Sequence, residues 1–537
     1  MKPASFLPLL AALMGSAVVD AKAVFAHFMV GNVQSFDQGA WENDIGVAQA
    51  AGIDAYALNI AAGDSSVDSS LAKAFAAADS KGFKLFFSFD YAAWGAWPQD
   101  RVVSLINSYK GRASYYQHNG KPLVSTFEGP GSANQWGSIK GSTNAFFVPD
   151  WDSQGPSGAA SLAGGVADGL FNWDAWPVGA ADMSTSKDQA YKNALSGKPY
   201  MMGVSPWFFT NLPGWDKNWL WRGDDLWFDR WQQVLQMQPE FVEIITWNDW
   251  GESHYIAPLD SQQWGLFSSG QAPYNYAADM PHDGWRQFLP YLIRQYKTGA
   301  TSVDREGLTT WFRRSPATAC ATGGTTGNHA GHGQQELPPS QVAQDRVFYS
   351  ALLTSGSGVQ VTVSIGGSSQ VGSWEATPGG NGAGMYHGSV PFNGRLGQVV
   401  VTITRGGNQI ARVDGASIST SCTNGITNWN AWVGGAWASG GSTPPPTGDA
   451  CVAGSGQGNF GGLCSFACHY DYCPSPCTCT ARGTKVNPPA ATGQKGYPKV
   501  GVADHCAYLG LCSFAWDRGY TDNLAACGSD PAGAAGC

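Results

Sequence analysis

The chain has 537 residues, too many for one ordinary hydrophobic core, which predicts two to four domains. Its formal net charge is −9 and no basic run stands out, which argues against a nucleic-acid partner. Charged residues make up only 13% of the chain while there are 23 tryptophans, a mixture that suits a secreted protein that handles carbohydrate.

The N-terminus has the features of an export signal. Lys2 precedes an apolar run from Phe6 to Val19, and Ala21 and Ala23 offer a small-residue cleavage site. The run is too short to cross a bilayer, so residues 1–23 are predicted to be the signal peptide of a secreted protein, with an apolar first strand as the alternative. Because no later stretch reaches about 18 apolar residues, we expect no membrane partner.

Residues 24–300 alternate between apolar, strand-like runs and amphipathic, helix-like segments. The eight strand-like runs are Ala23–Gly31, Ala55–Ile60, Lys84–Tyr91, Pro122–Gly129, Ala145–Trp151, Gly169–Trp176, Pro199–Phe209 and Phe241–Trp250. The helix-like segments are Ser70–Lys81, Arg101–Lys110, Ser186–Leu195, Leu226–Met237 and Trp285–Lys297. Eight such repeats predict an α/β fold, a (β/α)8 TIM barrel that forms the catalytic domain. The alternative is a doubly wound sheet, but the glycine-rich phosphate loop typical of that fold is missing after the first strand.

Acidic residues follow the strand ends, where a TIM barrel carries its active site. Asp249 and Glu252 end the eighth strand and Asp90 ends the third. Hydrolysis of a glycosidic bond requires an acid, a base and flat apolar faces for sugar rings. We therefore expect Asp249, Glu252 and Asp90 to be catalytic. Glu128, Asp150 and Asp152 stand at strand ends too, with helix caps or loop acids as the alternative.

Further rim residues are expected to line a substrate cleft, although each could instead belong to the core. They are His27, Tyr91, Trp151, Trp173, Asp174, Trp207, Trp247 and Trp250. No set of metal or nucleotide ligands stands out in the sequence, so we expect neither a metal nor another cofactor.

Residues 301–439 lose the helical spacing and contain short alternating runs separated by glycine-rich turns. This pattern predicts an antiparallel β-sandwich accessory domain. Cys320 and Cys422 are the two cysteines of this region and are expected to pair. The sandwich could bind sugar or brace the barrel, and bracing is the favoured interpretation.

Residues 440–448 are a Pro/Ser/Thr linker, and residues 449–537 form a small cysteine-rich module. The sequence Gly462–Ala467 recurs as Gly510–Ala515, and ten cysteines can form five disulfides that replace a large core. Repeated aromatics on such a scaffold suggest a carbohydrate-binding module, with a spacer domain as the alternative. A metal site at Cys473, Cys477 and Cys479 is disfavoured because a secreted chain oxidises such clusters.

Three motifs carry a family resemblance. The segment Ile244–Ser253 (IITWNDWGES), the strand-one sequence His27–Gly31 and the strand-three sequence Phe87–Tyr91 resemble the fungal α-1,3-glucanases, or mutanases, of glycoside hydrolase family 71. The resemblance covers residues 24–440. The cysteine-rich module is similar to the α-1,3-glucan-binding modules of carbohydrate-binding module family 24.

The resemblance implies endo-hydrolysis of α-1,3-glucan with inversion, and its essential acids correspond to Asp249, Glu252 and Asp90. We expect Glu252 to be the general acid, with a pKa raised by burial, and Asp249 the general base at the separation of roughly 6.5–9.5 Å that inversion needs. Asp90 is expected to hold a sugar hydroxyl or to tune the pair. We expect a monomer acting on α-1,3-glucan, outside the cell or in the cell wall.

Two alternatives stay open. The first is a cell-wall α-glucan-binding protein without catalysis. The second is a glycosidase of another linkage such as a chitinase, although the chitinase pattern DxxDxDxE is absent from strand four, which reads Ser125-Thr-Phe-Glu128.

Overall fold

The computed structural model forms two compact units, Met1–Ser439 and Gly440–Cys537. In the first unit the structure describes residues 22–324 and 336–438. In the second it describes residues 450–456, 461–475, 477–483, 486, 488–500, 505–520, 527–535 and 537. The predicted linker 440–448 lies outside the described residues, as does the predicted signal peptide 1–23 except for Lys22 and Ala23.

Strands and helices alternate along residues 22–300. The strands are β1 (Ala23–Met29), β2 (Ala55–Ala61), β3 (Lys84–Asp90), β4 (Gln117–His118), β5 (Lys121–Phe127), β6 (Phe146–Phe147), β7 (Leu170–Asn172), β8 (Tyr200–Val204), β9 (Phe209–Leu212), β10 (Lys217–Leu220) and β11 (Phe241–Ile244). The helices are α1 (Gln38–Ala50), α2 (Val67–Lys81), α3 (Gln99–Tyr109), α4 (Trp136–Thr143), α5 (Gly155–Ala163), α6 (Ser186–Leu195), α7 (Leu226–Met237), α8 (Gly265–Ser269), α9 (Asp283–Arg286) and α10 (Leu289–Thr298).

Eight of these strands pair in parallel in one curled sheet. Its order is β5, β3, β2, β1, β11, β8 and β7, with β6 beside β5. Beyond β6, Asp150 forms a parallel bridge with Phe171 of β7, and the Phe171 N–H donates to the Pro149 carbonyl at 2.8 Å. β1 and β2 are buried along almost their whole length, as strands covered on both faces are. The architecture of this region is therefore mixed α/β around a parallel sheet.

The predicted element boundaries differ in accuracy. α6 and α7 begin and end at the predicted residues. The predicted helix Trp285–Lys297 is two helices, because Pro290 has no N–H to continue α9 and instead lies in the first turn of α10. β6 and β8 are shorter than predicted, since Pro149 and Pro206 follow them closely and cannot donate to a strand ladder.

The β-sandwich is formed by two antiparallel sheets of four strands. Its strands are β12 (Gly307–Arg313), β13 (Arg346–Leu353), β14 (Val359–Ile365), β15 (Ser368–Gly372), β16 (Gly384–Pro391), β17 (Gly397–Arg405), β18 (Asn408–Ile418) and β19 (Ala431–Trp437), and α11 (Pro339–Val342) precedes β13. The sheet orders are β16-β13-β12-β19 and β15-β14-β17-β18, and their facing sides enclose a core of their own. Cys320 and Cys422 form a disulfide, which confirms the predicted pairing.

The sandwich packs directly against the parallel-sheet region of the same unit. The Trp311 indole N–H donates to the Asp224 carbonyl at 2.7 Å, and the Trp207 indole N–H donates to the Trp429 carbonyl at 2.9 Å. Side chains of both regions belong to one continuous hydrophobic cluster. This packing supports the bracing interpretation.

The second unit is small and held together by disulfides. Its elements are β20 (Ala450–Ser455), α12 (Gly461–His469), β21 (Thr478–Gly483), β22 (Tyr497–Pro498), α13 (His505–Asp517) and β23 (Cys527–Gly528). Its disulfides are Cys451–Cys479, Cys464–Cys477, Cys468–Cys473, Cys506–Cys537 and Cys512–Cys527. Since Cys473, Cys477 and Cys479 are all oxidised, the alternative of a thiolate metal site is excluded. The two copies of the internal repeat lie in α12 and α13.

Among the described helices, none has both the length and the apolar composition that crossing a bilayer requires.

A buried ion pair ties two helices to the sheet and predicts a stability change. Asp188 of α6 accepts two hydrogen bonds from Arg230 of α7, at 2.8 and 3.0 Å, and one from the Tyr200 hydroxyl of β8 at 2.8 Å. Both charged side chains are fully buried, so Asp188→Asn leaves a buried guanidinium without its counter-charge. We expect a loss of about 3–5 kcal/mol in the free energy of unfolding, measured by denaturant titration with tryptophan fluorescence.

The matched control is Asp68→Asn. Asp68 pairs with Arg101, but their side chains are 71% and 39% exposed, so we expect a change of only about 0–1 kcal/mol. Equal effects of the two substitutions would contradict the assigned importance of the buried pair.

Candidate active site

Two carboxylates lie on the loop that follows β11. The Asp249 N–H donates to the Thr246 hydroxyl oxygen at 2.9 Å, and Asp249 Oδ1 accepts the Glu252 N–H at 3.0 Å. The turn is therefore closed by side-chain to backbone hydrogen bonds, which fix both acids relative to the strand.

His254 supports Glu252 from the same loop. Its Nε2 lies 2.8 Å from Glu252 Oε2, and its Nδ1 lies 3.0 Å from the Thr246 hydroxyl. An ionised carboxylate only accepts, so Nε2 carries the proton and donates to Glu252. His254 is fully buried, and its ring orientation is set at both nitrogens.

A lysine from outside the parallel sheet completes the site. β9 and β10 form an antiparallel hairpin, and Lys217 at the start of β10 donates from Nζ to Glu252 Oε1 at 2.6 Å. The Phe209 N–H of β9 donates to the Glu252 carbonyl at 3.1 Å. The hairpin is thus joined to the acidic loop through both its backbone and its charge.

These contacts separate the proton affinities of the two acids. Burial, and then the charge of Glu252, raise the pKa of Asp249 above its ordinary value. Burial alone would raise the pKa of Glu252 as well, but Lys217 and His254 outweigh it and hold that pKa well below its usual range. The expectation of a raised pKa on Glu252 is therefore wrong, because the sequence did not reveal the lysine.

The two acids are close together. One oxygen of Asp249, one oxygen of Glu252 and a ring nitrogen of His254 all lie within 4.8 Å of one another. The gap is shorter than the separation of roughly 6.5–9.5 Å expected for an inverting pair. The three groups are also a poor fit to a metal ion, because both Glu252 oxygens and His254 Nε2 are engaged with each other and with the Lys217 cation.

Asp90 lies at the end of β3 and shares the electrostatic field of this pair. Its Oδ1 accepts the N–H groups of Ala92 and Ala93 at 2.8 and 2.9 Å, and Asn59 donates to its Oδ2 at 3.4 Å. Glu252, Asp249 and Asp90 each contribute to raising the pKa of Lys217. Asp90 therefore contributes to the charge around Lys217, beside the loop that carries Asp249 and Glu252.

The other strand-end acids organise loops. Glu128 accepts the Ser153 N–H and hydroxyl at 2.8 and 2.6 Å, and Asp150 Oδ1 accepts the Asp152 N–H at 3.0 Å. Burial and then the charges of Asp152 and Glu128 raise the pKa of Asp150. The alternative interpretation as loop acids fits these contacts.

Four tryptophans expected in the cleft are core residues in this structure. Trp151, Trp207, Trp247 and Trp250 are at most 2% exposed. The Trp247 indole N–H donates to Asp44, whose pKa burial raises to about 7, and Trp207 faces the sandwich. Their rings present no free face to a sugar, because neighbouring layers cover them.

The remaining predicted cleft residues differ in accessibility. His27 is fully buried, with Nδ1 2.6 Å from Glu243 Oε1 and its ring edge-on to Trp173. Trp173 and Asp174 are partly exposed, and Asp174 pairs with Lys187 at 2.8 Å. Tyr91 is only 7% exposed. Trp173 and Asp174 thus remain candidates for contact with a ligand. His27 is buried and packs edge-on against the Trp173 ring.

Sequence reasoning missed Lys217 and His254. His254 follows Glu252 by two residues, the spacing that places side chains on one side of an extended segment, so a signal was available. Lys217 is 35 residues from Glu252 and lies in a hairpin that no strand–helix repeat predicts.

The Lys217–Glu252 pair predicts a stability difference that depends on pH. A carboxyl whose pKa is lowered by folding stabilises the fold above its unfolded pKa, and this contribution is lost as the pH falls through the folded pKa. Lys217→Met removes the main cause of the lowering. Since the Lys217 side chain is 39% exposed, we expect a loss of about 1 kcal/mol in the free energy of unfolding at pH 7 that shrinks toward pH 3.

Denaturant titrations at a series of pH values measure this difference, with Lys217→Arg as the variant that keeps the charge. A difference between Lys217→Met and wild type that stays constant from pH 7 to pH 3 would assign the loss to packing instead.

Known proteins resemble this chain over most of its length. Residues 20–445 match the sequence profile of Glycosyl hydrolase family 71. A mutanase from Penicillium rubens is 36% identical over 363 residues, which cover 66% of this chain and 77% of the relative. A glucan endo-1,3-alpha-glucosidase from Schizosaccharomyces pombe is 32% identical over 453 residues, or 81% of this chain and 99% of the relative. An ascus wall endo-1,3-alpha-glucanase from the same yeast is 31% identical over 316 residues, which cover 52% of this chain and 68% of the relative. The chain therefore belongs to glycosyl hydrolase family 71.

Proposed function

We propose that this protein hydrolyses the α-1,3-glucosidic bonds of α-1,3-glucan and cleaves within the chain. The observation that carries the reaction class is the Asp249–Glu252 pair, whose surroundings shift the two pKa values in opposite directions. Such a separation is what an acid and a base side by side require. The linkage rests on the relatives, which are named mutanase and endo-1,3-alpha-glucosidase.

Asp249 is the proton donor in this proposal, and Glu252 is the ionised base. The Asp249 carboxyl gives its proton to the glycosidic oxygen as the bond to the anomeric carbon breaks. Glu252 takes a proton from the water that forms the new bond to that carbon. Before the next cycle, one proton must pass from Glu252 back to Asp249 to restore the starting state. This order reverses the assignment expected from sequence, and the contacts of Glu252 with Lys217 and His254 support the reversal.

Asp90 is assigned a supporting role. Two backbone N–H groups hold its Oδ1, and Oδ2 keeps one long contact with Asn59. It is suited to accept a hydrogen bond from a sugar hydroxyl, and its charge adds to the field at Lys217. Trp173 and Asp174 are proposed to line the same cleft.

We also propose that the eight parallel strands close into a (β/α)8 barrel over residues 24–300. The bridge between Asp150 and Phe171 supports closure, because it joins the strand at one edge of the sheet to the strand at the other. The sandwich, residues 301–439, braces this barrel.

Residues 449–537 serve as a carbohydrate-binding module on a secreted monomer, and the disulfides of both units support an oxidising compartment.

The first functional test removes the two acids separately. Asp249→Asn and Glu252→Gln should each lower the release of reducing sugar from insoluble α-1,3-glucan by about 10²–10⁴-fold, the usual contribution of general acid–base catalysis. A thermal melt confirms that each variant folds, and Asp68→Asn is the control for loss of a surface acid. If either folded variant keeps more than a few per cent of the wild-type rate, the pair is misassigned, and a wild type without activity would favour a glucan-binding protein.

A substrate with a better leaving group separates the two roles. An α-1,3-linked oligosaccharyl fluoride needs no proton donor, so Asp249→Asn should keep most of its activity on this substrate while Glu252→Gln loses it. The opposite result would restore the assignment with Glu252 as the acid.

Proton NMR of the first product tests the stereochemistry. We expect the β-anomer from the α-linked substrate, the inversion that the family resemblance implies. The α-anomer would contradict this and would agree with the close spacing of the two acids, which is nearer to that of retaining enzymes.

A further inference from the structure

Exposed tryptophans are rare in the described part of this protein. Nine of its twelve largest fully buried side chains are tryptophans, whereas Trp94 is 69% exposed, Trp215 is 48% exposed and Trp437 is 36% exposed. An exposed indole gains free energy when a ligand covers its flat apolar face. Two of the three, Trp94 and Trp215, lie on segments that also carry residues of the acidic site.

Trp94 belongs to the loop that folds around Asp90. Asp90 Oδ1 accepts the N–H groups of Ala92 and Ala93, and the Asp90 carbonyl accepts the Trp97 indole N–H at 3.0 Å. The Trp94 ring rests on Gly63, where an added Cβ would come within 2.9 Å of Trp94 Cε3. One part of the ring is thus fixed against backbone, and most of it faces solvent.

Trp215 lies at the tip of the hairpin formed by β9 and β10, two residues before Lys217. Two backbone hydrogen bonds hold the tip. The Gly214 N–H donates to the Gly270 carbonyl at 2.9 Å, and the Asp216 N–H donates to the Pro213 carbonyl at 3.2 Å within the turn. Next to the turn, Lys217 contacts Glu252, and at the base of the hairpin the Phe209 N–H donates to the Glu252 carbonyl at 3.1 Å. Trp215 is therefore presented on an ordered turn.

Both positions belong to segments that leave the same edge of the sheet, because β3, which ends at Asp90, and β11, which leads into the acidic loop, are parallel strands of one sheet. Lys217 of the hairpin joins this loop by donating to Glu252 at 2.6 Å. Trp215 is two residues from Lys217 in sequence, and Trp94 is four residues from Asp90. We infer that Trp94 and Trp215 are sugar-binding residues that stack glucosyl rings of the glucan chain on either side of the bond to be cleaved. The inference rests on the proposed function for its substrate.

The chemistry of the ligand fits the two side chains. A pyranose ring has apolar C–H faces and a polar edge of hydroxyls, and an indole offers a flat, electron-rich face to the former. The Trp94 ring rests on Gly63 and the backbone beside Trp215 is fixed by turn hydrogen bonds, so binding has little backbone to order. The partly exposed Asp174 and the nearby Lys187 can bind the hydroxyl edges.

The test compares Trp94→Ala, Trp215→Ala and the double variant with Trp437→Ala in the full chain. Trp437 is an exposed tryptophan of strand β19 in the sandwich, and its ring lies against Arg305 and Phe288. On soluble α-1,3-linked oligosaccharides, we expect each of the first two substitutions to raise KM about tenfold with kcat nearly unchanged. Trp437→Ala should match the wild type.

A binding measurement makes the result independent of turnover. In the Glu252→Gln background, titration with the same oligosaccharides by calorimetry should show a matching loss of affinity for Trp94→Ala and Trp215→Ala, but not for Trp437→Ala. Unchanged KM and affinity in both variants, or a fall in kcat without a change in affinity, would overturn the inference.

The outcomes also separate this inference from the proposed function. A wild type that cleaves no α-1,3-glucan disproves the proposed function. The same titrations with β-1,3- and α-1,4-linked oligosaccharides then decide whether Trp94 and Trp215 bind another glucan, and a wild type that binds none of them overturns the inference as well.

Discussion

The contact of Glu252 with Lys217 and His254 is the constraint on which the chemistry of this site depends. Two carboxyls whose oxygens lie within 4.8 Å compete for one proton, and without other charges burial would raise the pKa of both. A lysine from the hairpin and a histidine from the loop both act on Glu252, so its pKa is held low while that of Asp249 is raised. The asymmetry of the pair is thus a product of two separate segments of chain, the loop after β11 and the hairpin.

That asymmetry requires that the acidic loop and the hairpin be held rigidly relative to each other. The loop is closed by Thr246 and by the Glu252 N–H, and the hairpin is attached to it through Phe209. Behind the loop, Trp247 and Trp250 are fully packed, and on another side Trp207 meets the sandwich at Trp429. The aromatic residues of the motif therefore belong to the packed surroundings of the acids.

Most of the fold could be predicted from sequence, for reasons that particular residues illustrate. The bounds of α6 and α7 follow from helical periodicity. The placement of Asp90 at the end of β3 and of two acids on the loop after β11 follows from the rule that parallel strands end at one edge. The break between α9 and α10 could have been predicted from Pro290. The short strands β6 and β8 could not be read from apolar runs alone, because the same apolar residues continue into buried loops.

The amino-acid sequence by itself determined the family, the strand–helix alternation and the pairing of Cys320 with Cys422, whereas the pairing of the ten cysteines in the second unit came from the structure. Tertiary structure decided in which direction the pKa of each acid is shifted and which tryptophans face solvent. Both properties depend on neighbours that are far away along the chain, such as Lys217 for Glu252 and Trp429 for Trp207. A pKa reports the local field and burial of a group, and exposure reports what packs on it, so neither is a property of a motif read in isolation.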